Sequence, residues 1–114
     1  MQIFRLLDES SVVTSYHVLD FKKWHDGYYF KISIVLVNDN QLFIREYSDQ
    51  TERNYAYHWQ DDKGNLIVRW DNAPHYKDMV SFPHHKHLGD SIEESQEITL
   101  KDVLDVITKK IHSK

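Results

Sequence analysis

Apolar and polar residues alternate with period two from about Val12 to Asp71. In YYFKISIVLV, Tyr28, Phe30, Ile32, Ile34 and Leu36 fall on one side of an extended chain, with Lys31 and Ser33 on the other. That pattern predicts a strand with one buried face. Turn signals interrupt it at His25-Asp26-Gly27, Asn38-Asp39-Asn40 and Asp61-Asp62-Lys63-Gly64-Asn65. Five strands are predicted around them, near residues 12–23, 28–37, 41–48, 54–60 and 66–71. Only residues 49–53 make a longer, charged link, and the short connections favour hairpins over crossovers. The period then changes. Leu100, Val103, Leu104, Ile107 and Ile111 follow the i, i+3, i+4, i+7, i+11 spacing of one helical face. Thr99, with Asp102 three residues on, reads as an N-cap close to a capping box. Lys109, Lys110 and His112 suit the helix C-terminus. The expectation is an α+β fold, an antiparallel β-meander of about five strands with a C-terminal helix packed on one face. Residues 1–114 are read as a single domain.

Composition narrows the possible functions. Seven Tyr, five Phe and three Trp are too many for a disordered chain. A net charge of −4 argues against coating nucleic acid through bulk electrostatics, while leaving room for a local basic site. The absence of cysteine removes disulfides, thiolate nucleophiles and Cys-ligated zinc, which fits a cytoplasmic protein. MQIFRLLDESS does not read as a signal peptide, and no stretch has the roughly 18 apolar residues of a membrane span.

The candidate chemistry lies in RWDNAPHYKDMVSFPHHKH, residues 69–87, which hold four of the eight histidines. This stretch is read as a histidine-rich loop leaving the last strand. Arg69 and Asp71 must share a face whatever the register, because a two-residue step returns to the same side. A hairpin around Asp62-Lys63-Gly64 places Tyr57 opposite Arg69 and Tyr55 opposite Asp71, with Leu66, Val68 and Trp70 turned to the helix. One face of the sheet then carries Arg45, Tyr47, Tyr57, Arg69 and Asp71. A solvated sheet surface with cross-strand charge pairs explains each of these singly. Convergence of guanidinium, phenol and imidazole groups fits phosphate handling better.

Two chemistries compete for the histidines. In an extended segment His85 and His87 project to one side and His84 to the other. His75 or Asp71 can complete a His-ligated divalent-metal site with them, zinc being one candidate. No HEXXH or other diagnostic spacing supports it. Metal-free acid–base chemistry needs no cofactor. Cleaving RNA through its own 2′-hydroxyl takes a base and an acid, roles suited to imidazoles of pKa about 6.5. Arg69, Arg45 or Lys86 can stabilise the phosphoryl charge. Trp70, Tyr57 or Tyr76 can stack unpaired bases. Nucleophile elbows, phosphate-binding glycine loops and dinucleotide fingerprints are absent, and three glycines leave little scope for them. A plainer reading makes Asp71, Asn72 and Pro74 a turn with histidine struts, and leaves the four histidines unexplained.

The blocks RWDNAPHY and FPHHKH, preceded by REY and YAYHWQ, resemble the TumE-like family of small toxins from toxin–antitoxin pairs. The resemblance runs from the Tyr28–Val37 segment into the terminal helix and excludes the first twenty residues. It implies a small cytoplasmic protein with a DNA-binding antitoxin as partner, and toxins of this kind often act by cutting RNA. The acidic net charge then predicts that RNA is met through a local patch or on a larger complex such as the ribosome. The matching positions are Arg45, Glu46, Tyr57, His58, Arg69, Asp71, Asn72, His75, His84, His85, Lys86 and His87. The expected site joins His85, His87, His75, Arg69, Lys86, Tyr57 and Asp71 as catalytic residues. Arg45, Asn72, Trp70, Tyr76 and His84 are expected to hold substrate. Glu46 and His58 fall on the opposite strand face in this register and are second choices. The alternatives are a metal protein using His75, His85 and His87, and a non-catalytic interaction module.

Overall fold

A computed structural model describes residues 2–113 of the chain. The element order is α1 (Gln2–Glu9), β1 (Val13–Trp24), β2 (Gly27–Leu36), β3 (Gln41–Ser48), β4 (Arg53–Gln60), β5 (Leu66–Asp71), β6 (His85–Leu88), β7 (Ser91–Glu94) and α2 (Leu100–His112). All strand pairs are antiparallel and neighbours follow chain order, a seven-stranded meander. Five strands fall where alternation placed them. Two more, β6 and β7, arise where a loop was expected: His85–Leu88 extends the sheet beside β5, with Asp71 opposite His85 and Arg69 opposite His87.

The core lies on one face of the sheet. Phe30, Ile32, Ile34, Leu36, Leu42, Ile44, Tyr57, Trp59, Val68 and Trp70 bury against both helices. Leu100, Val103, Leu104 and Ile107 supply the α2 side, as its spacing predicts. Thr99 and Asp102 close a full capping box: Thr99 Oγ1 accepts from the Asp102 amide at 3.3 Å, and Asp102 Oδ2 accepts from the Thr99 amide at 3.0 Å. Helix α1 went unread in the sequence. It packs through Ile3 and Leu7, one turn apart, and its brevity hid the pattern. Two of the strand connections, the predicted 61–65 turn and the charged 49–53 link, are held by aspartates. Asp61 Oδ1 accepts from the amides of Lys63 and Asn65, and Asp49 Oδ1 from those of Thr51 and Glu52.

One extra residue decides which side chains share a face. Gln60 pairs with Leu66, the register expected from the Asp62-Lys63-Gly64 turn, but Trp59 pairs with Val68, leaving Ile67 as a bulge. Beyond it the pairing slides by one, to His58 with Arg69, Tyr57 with Trp70 and Ala56 with Asp71. Tyr57 therefore faces the helices, not Arg69. It is fully buried, donates its hydroxyl proton to Glu46, and accepts from Arg53 Nη2 at 2.8 Å. Tyr28 also donates to Glu46, and Arg53 reaches the Ile98 carbonyl at 2.7 Å and Glu97 at 3.0 Å. The group ties the entry to α2 onto β2, β3 and β4.

Tyr57→Phe is expected to strip the hydroxyl from this buried network and destabilise the fold by about 1–3 kcal/mol. Urea unfolding checks the loss. The His85 and His87 rings lie on the face that Tyr57 does not reach, so their NMR signals should stay at the wild-type positions.

Candidate active site

The face of the sheet away from the helices carries an ordered grid of side chains. Across β2 to β6, one row runs Lys31, Arg45, Ala56, Asp71, His85, and the next runs Ser33, Phe43, His58, Arg69, His87. Strand pairing sets these rows, because residues opposite one another on adjacent strands project to the same side. Ala56, 5% exposed, is a small side chain among large ones and forms the floor between Arg45 and Asp71.

Asp71 is the hub. The residue is 6% exposed, and its carboxylate spends both oxygens within the site. Oδ1 lies 2.8 Å from His85 Nε2 and accepts from the Ala73 amide at 3.0 Å. Oδ2 accepts from Arg69 Nε at 3.2 Å and lies 3.5 Å from His87 Nε2. His85 is enclosed, at 1% exposure, and its Nδ1 lies 3.0 Å from the Pro83 carbonyl oxygen. Both of its ring nitrogens thus face oxygens that accept. The Tyr76 ring sits edge-on to His85 at 4.7 Å and near His87 at 6.1 Å, closing the cluster from the 72–84 loop. His87 is the more open of the pair, and its ring centre is 5.1 Å from that of His85.

Burial pushes the His87 pKa below 6.5; Asp71 pulls it back up, while His85 and Arg69 add to the lowering. Burial, then the Arg69 guanidinium, likewise lowers His58, whose Nδ1 is 3.4 Å from Arg69 Nη1. Both rings therefore favour the neutral form at neutral pH, the form that accepts a proton.

These groups border an open cavity of about 700 Å³ lined by Tyr29, Arg45, Tyr47, Ala56, Arg69, Asp71, His75, Tyr76, His85 and His87, among others. His75 is exposed on its rim, next to Tyr76. It stands outside the group of Asp71, His85 and His87, whose ligand-type atoms all lie within 4.8 Å of one another. A metal, if bound, would take this set rather than His75, His85 and His87.

Several expected members sit elsewhere. Lys86 pairs with Trp70 on β5 and Glu93 on β7, so it projects to the face opposite His85 and His87. Trp70 is 4% exposed within the core, out of reach of a base. Tyr57 is in the core for the register reason given above. His84 does project away from His85, as expected, and its Nδ1 lies 2.8 Å from the Tyr55 hydroxyl. Asn72 lines the cavity, but its amide is spent on strand β4: Oδ1 accepts from the Tyr55 amide at 2.9 Å and Nδ2 donates to the Arg53 carbonyl at 2.6 Å. Conversely, His58, a second choice, lands on the site face beside Arg69, and Glu46 lands with Tyr57 in the core. Tyr29, absent from the expected site, lines the cavity. Its alternation with Lys31 along β2 was the signal available.

The geometry defines a small antiparallel-sheet protein with an Asp-centred His–Arg cluster set in an open cavity. A family model described as Toxin TumE matches residues 3–111, nearly the whole chain, and the chain belongs to that family. No curated protein and no solved structure matches it. None of the helices among the described residues is long and apolar enough to cross a membrane.

Because the native His87 and His58 rings bind protons less readily than unfolded ones, stability is full above about pH 6.5 and falls as pH drops through their lowered values. The urea midpoint should decline from about pH 7 to about pH 5, and less steeply in a His58→Gln/His87→Gln variant. In NMR titrations, Asp71→Asn should move the His87 midpoint further down, since the carboxylate is what raises it.

Proposed function

We propose that this chain is the toxin of a toxin–antitoxin pair and cleaves single-stranded RNA without a metal, acting in the cytoplasm as a single domain. The observation that carries this reading is His87. Its ring has a lowered proton affinity, it lies against the Asp71 carboxylate, and it shares a cavity with two arginines. With Nε2–H turned to Asp71, the lone pair of Nδ1 is free to take the proton of a 2′-hydroxyl. The 2′-oxygen then bonds to phosphorus as the bond to the 5′-oxygen breaks. A second imidazole, His75 on the same cavity, protonates that leaving oxygen, giving a 2′,3′-cyclic phosphate and a 5′-hydroxyl end. Arg69 and Arg45 face the charge that grows on the phosphoryl oxygens. His85, enclosed between Asp71 and the Pro83 carbonyl, positions the carboxylate and does not meet substrate.

Membership of a toxin family suggests an antitoxin partner. The DNA-binding character of that partner and an encounter with RNA on the ribosome complete the proposal. The net charge is −4 while Arg45 and Arg69 stand on the cavity wall, which favours substrate met locally.

One observation favours a second reading. Asp71, His85 and His87 form a two-histidine, one-carboxylate set of the kind divalent iron or zinc accepts. The Pro83 carbonyl orients His85 Nδ1 as such ligands are usually oriented. Arg69, 3.2 Å from Asp71 Oδ2, places a competing positive charge there. Mass spectrometry of tag-free protein separates the readings: a stoichiometric ion lost in His87→Ala would establish the metal site.

Brief induced expression followed by analysis of total RNA is the direct test. Wild type should yield fragments with cyclic-phosphate ends. His87→Ala should lower the cleavage rate by about 10²- to 10⁴-fold, whereas Lys86→Ala, on the far face, should cut like wild type. Intact RNA from folded wild type would sink the reading.

A further inference from the structure

A second hollow, of about 170 Å³, adjoins the main cavity on the same sheet face. Leu19, Lys31, Phe43 and His58 line it, and it shares Arg45, Ala56 and Arg69 with its neighbour. Every ionisable side chain on its wall is basic or an imidazole, in a chain whose net charge is −4. Asp20 lies across the strand from Lys31 and is outside the lining. Phe43 is half-buried on the site face, with the His58 ring 6.3 Å away and tilted to it. Two aromatic-walled hollows thus meet along a boundary where Arg45 and Arg69 stand.

We infer that this hollow is a second nucleotide subsite, so that single-stranded RNA crosses the sheet with a base on Phe43, the linking phosphate at Arg45 and Arg69, and the next nucleotide in the histidine cavity. Stacking on an aromatic ring holds a base with little regard to its identity, and the guanidiniums hold the backbone. Specificity at this subsite comes from ring overlap and from the reach of His58 and Lys31, not from Watson–Crick readout. The inference rests on the ribonuclease reading for the class of ligand alone. Binding here requires no cleavage.

The probe is a 2′-O-methyl RNA trinucleotide, which lacks the attacking hydroxyl and stays intact, compared with a nucleoside 3′-monophosphate that fills only the main cavity. Phe43→Ala and Phe43→Leu are tested beside wild type, with urea midpoints confirming the fold; the leucine variant keeps apolar bulk and removes the ring. Both variants should weaken trinucleotide binding by about five- to hundredfold and leave monophosphate binding unchanged. Equal weakening of both ligands, or of neither, overturns the inference. So does failure of wild type to bind the trinucleotide at all, which would give the hollow to a protein partner. If wild type binds the trinucleotide but leaves unmodified RNA intact, the subsite stands and the ribonuclease reading falls. Cleavage that survives alongside wild-type affinity in both Phe43 variants has the opposite meaning.

Discussion

The Asp71 carboxylate is the contact on which the far end of the sheet depends. It ends β5, accepts from the Ala73 amide as the chain turns away, and meets His85 and His87 as the chain returns in β6. Without it, two imidazoles, one of them fully enclosed, would face the Arg69 guanidinium with no counter-charge between them, a costly arrangement. The carboxylate thereby couples closure of the 72–84 loop to the electrostatics of the cavity. The same group that holds the loop also helps His87 take a proton, against the larger, opposing effect of burial.

The two faces of the sheet divide the labour. The helix face holds the apolar core and one polar network, Glu46 with Arg53, Tyr28 and Tyr57, where burial and the carboxylate raise the Tyr57 pKa and push Tyr28 up to about 12. The other face holds the histidines and arginines. Strand β4 connects them: the Arg53 side chain grips the start of α2 through Ile98, while its backbone carbonyl accepts from Asn72 at the root of the loop. Through these bonds β4 holds the root of the loop from beneath.

Much of this was legible in the sequence, and the failures have physical causes. Period-two alternation gave five strands, and the helical spacing with Thr99 and Asp102 gave α2, because both patterns record a single buried face. Parity alone secured the pairing of Arg69 with Asp71 and of His85 with His87. What parity cannot reveal is a bulge, since one unpaired residue, Ile67, leaves the local alternation intact while exchanging Tyr57 for His58 on the site face. Strands β6 and β7 escaped notice because four residues each, rich in histidine and glutamate, carry no apolar alternation. Their pairing comes from the backbone and from Asp71. Lys86 was misplaced although it falls between His85 and His87, and the alternation that joins those two turns it to the opposite face.

Ala56 gives the grid a further meaning. It is a small side chain between Arg45 and Asp71 in the first row, and it lines both hollows. A methyl group there acts as a depth gauge: each carbon added to it would raise the floor and leave both hollows shallower. The depth of this surface is therefore set in part by a side chain with no charge, no proton to give and no hydrogen bond to make.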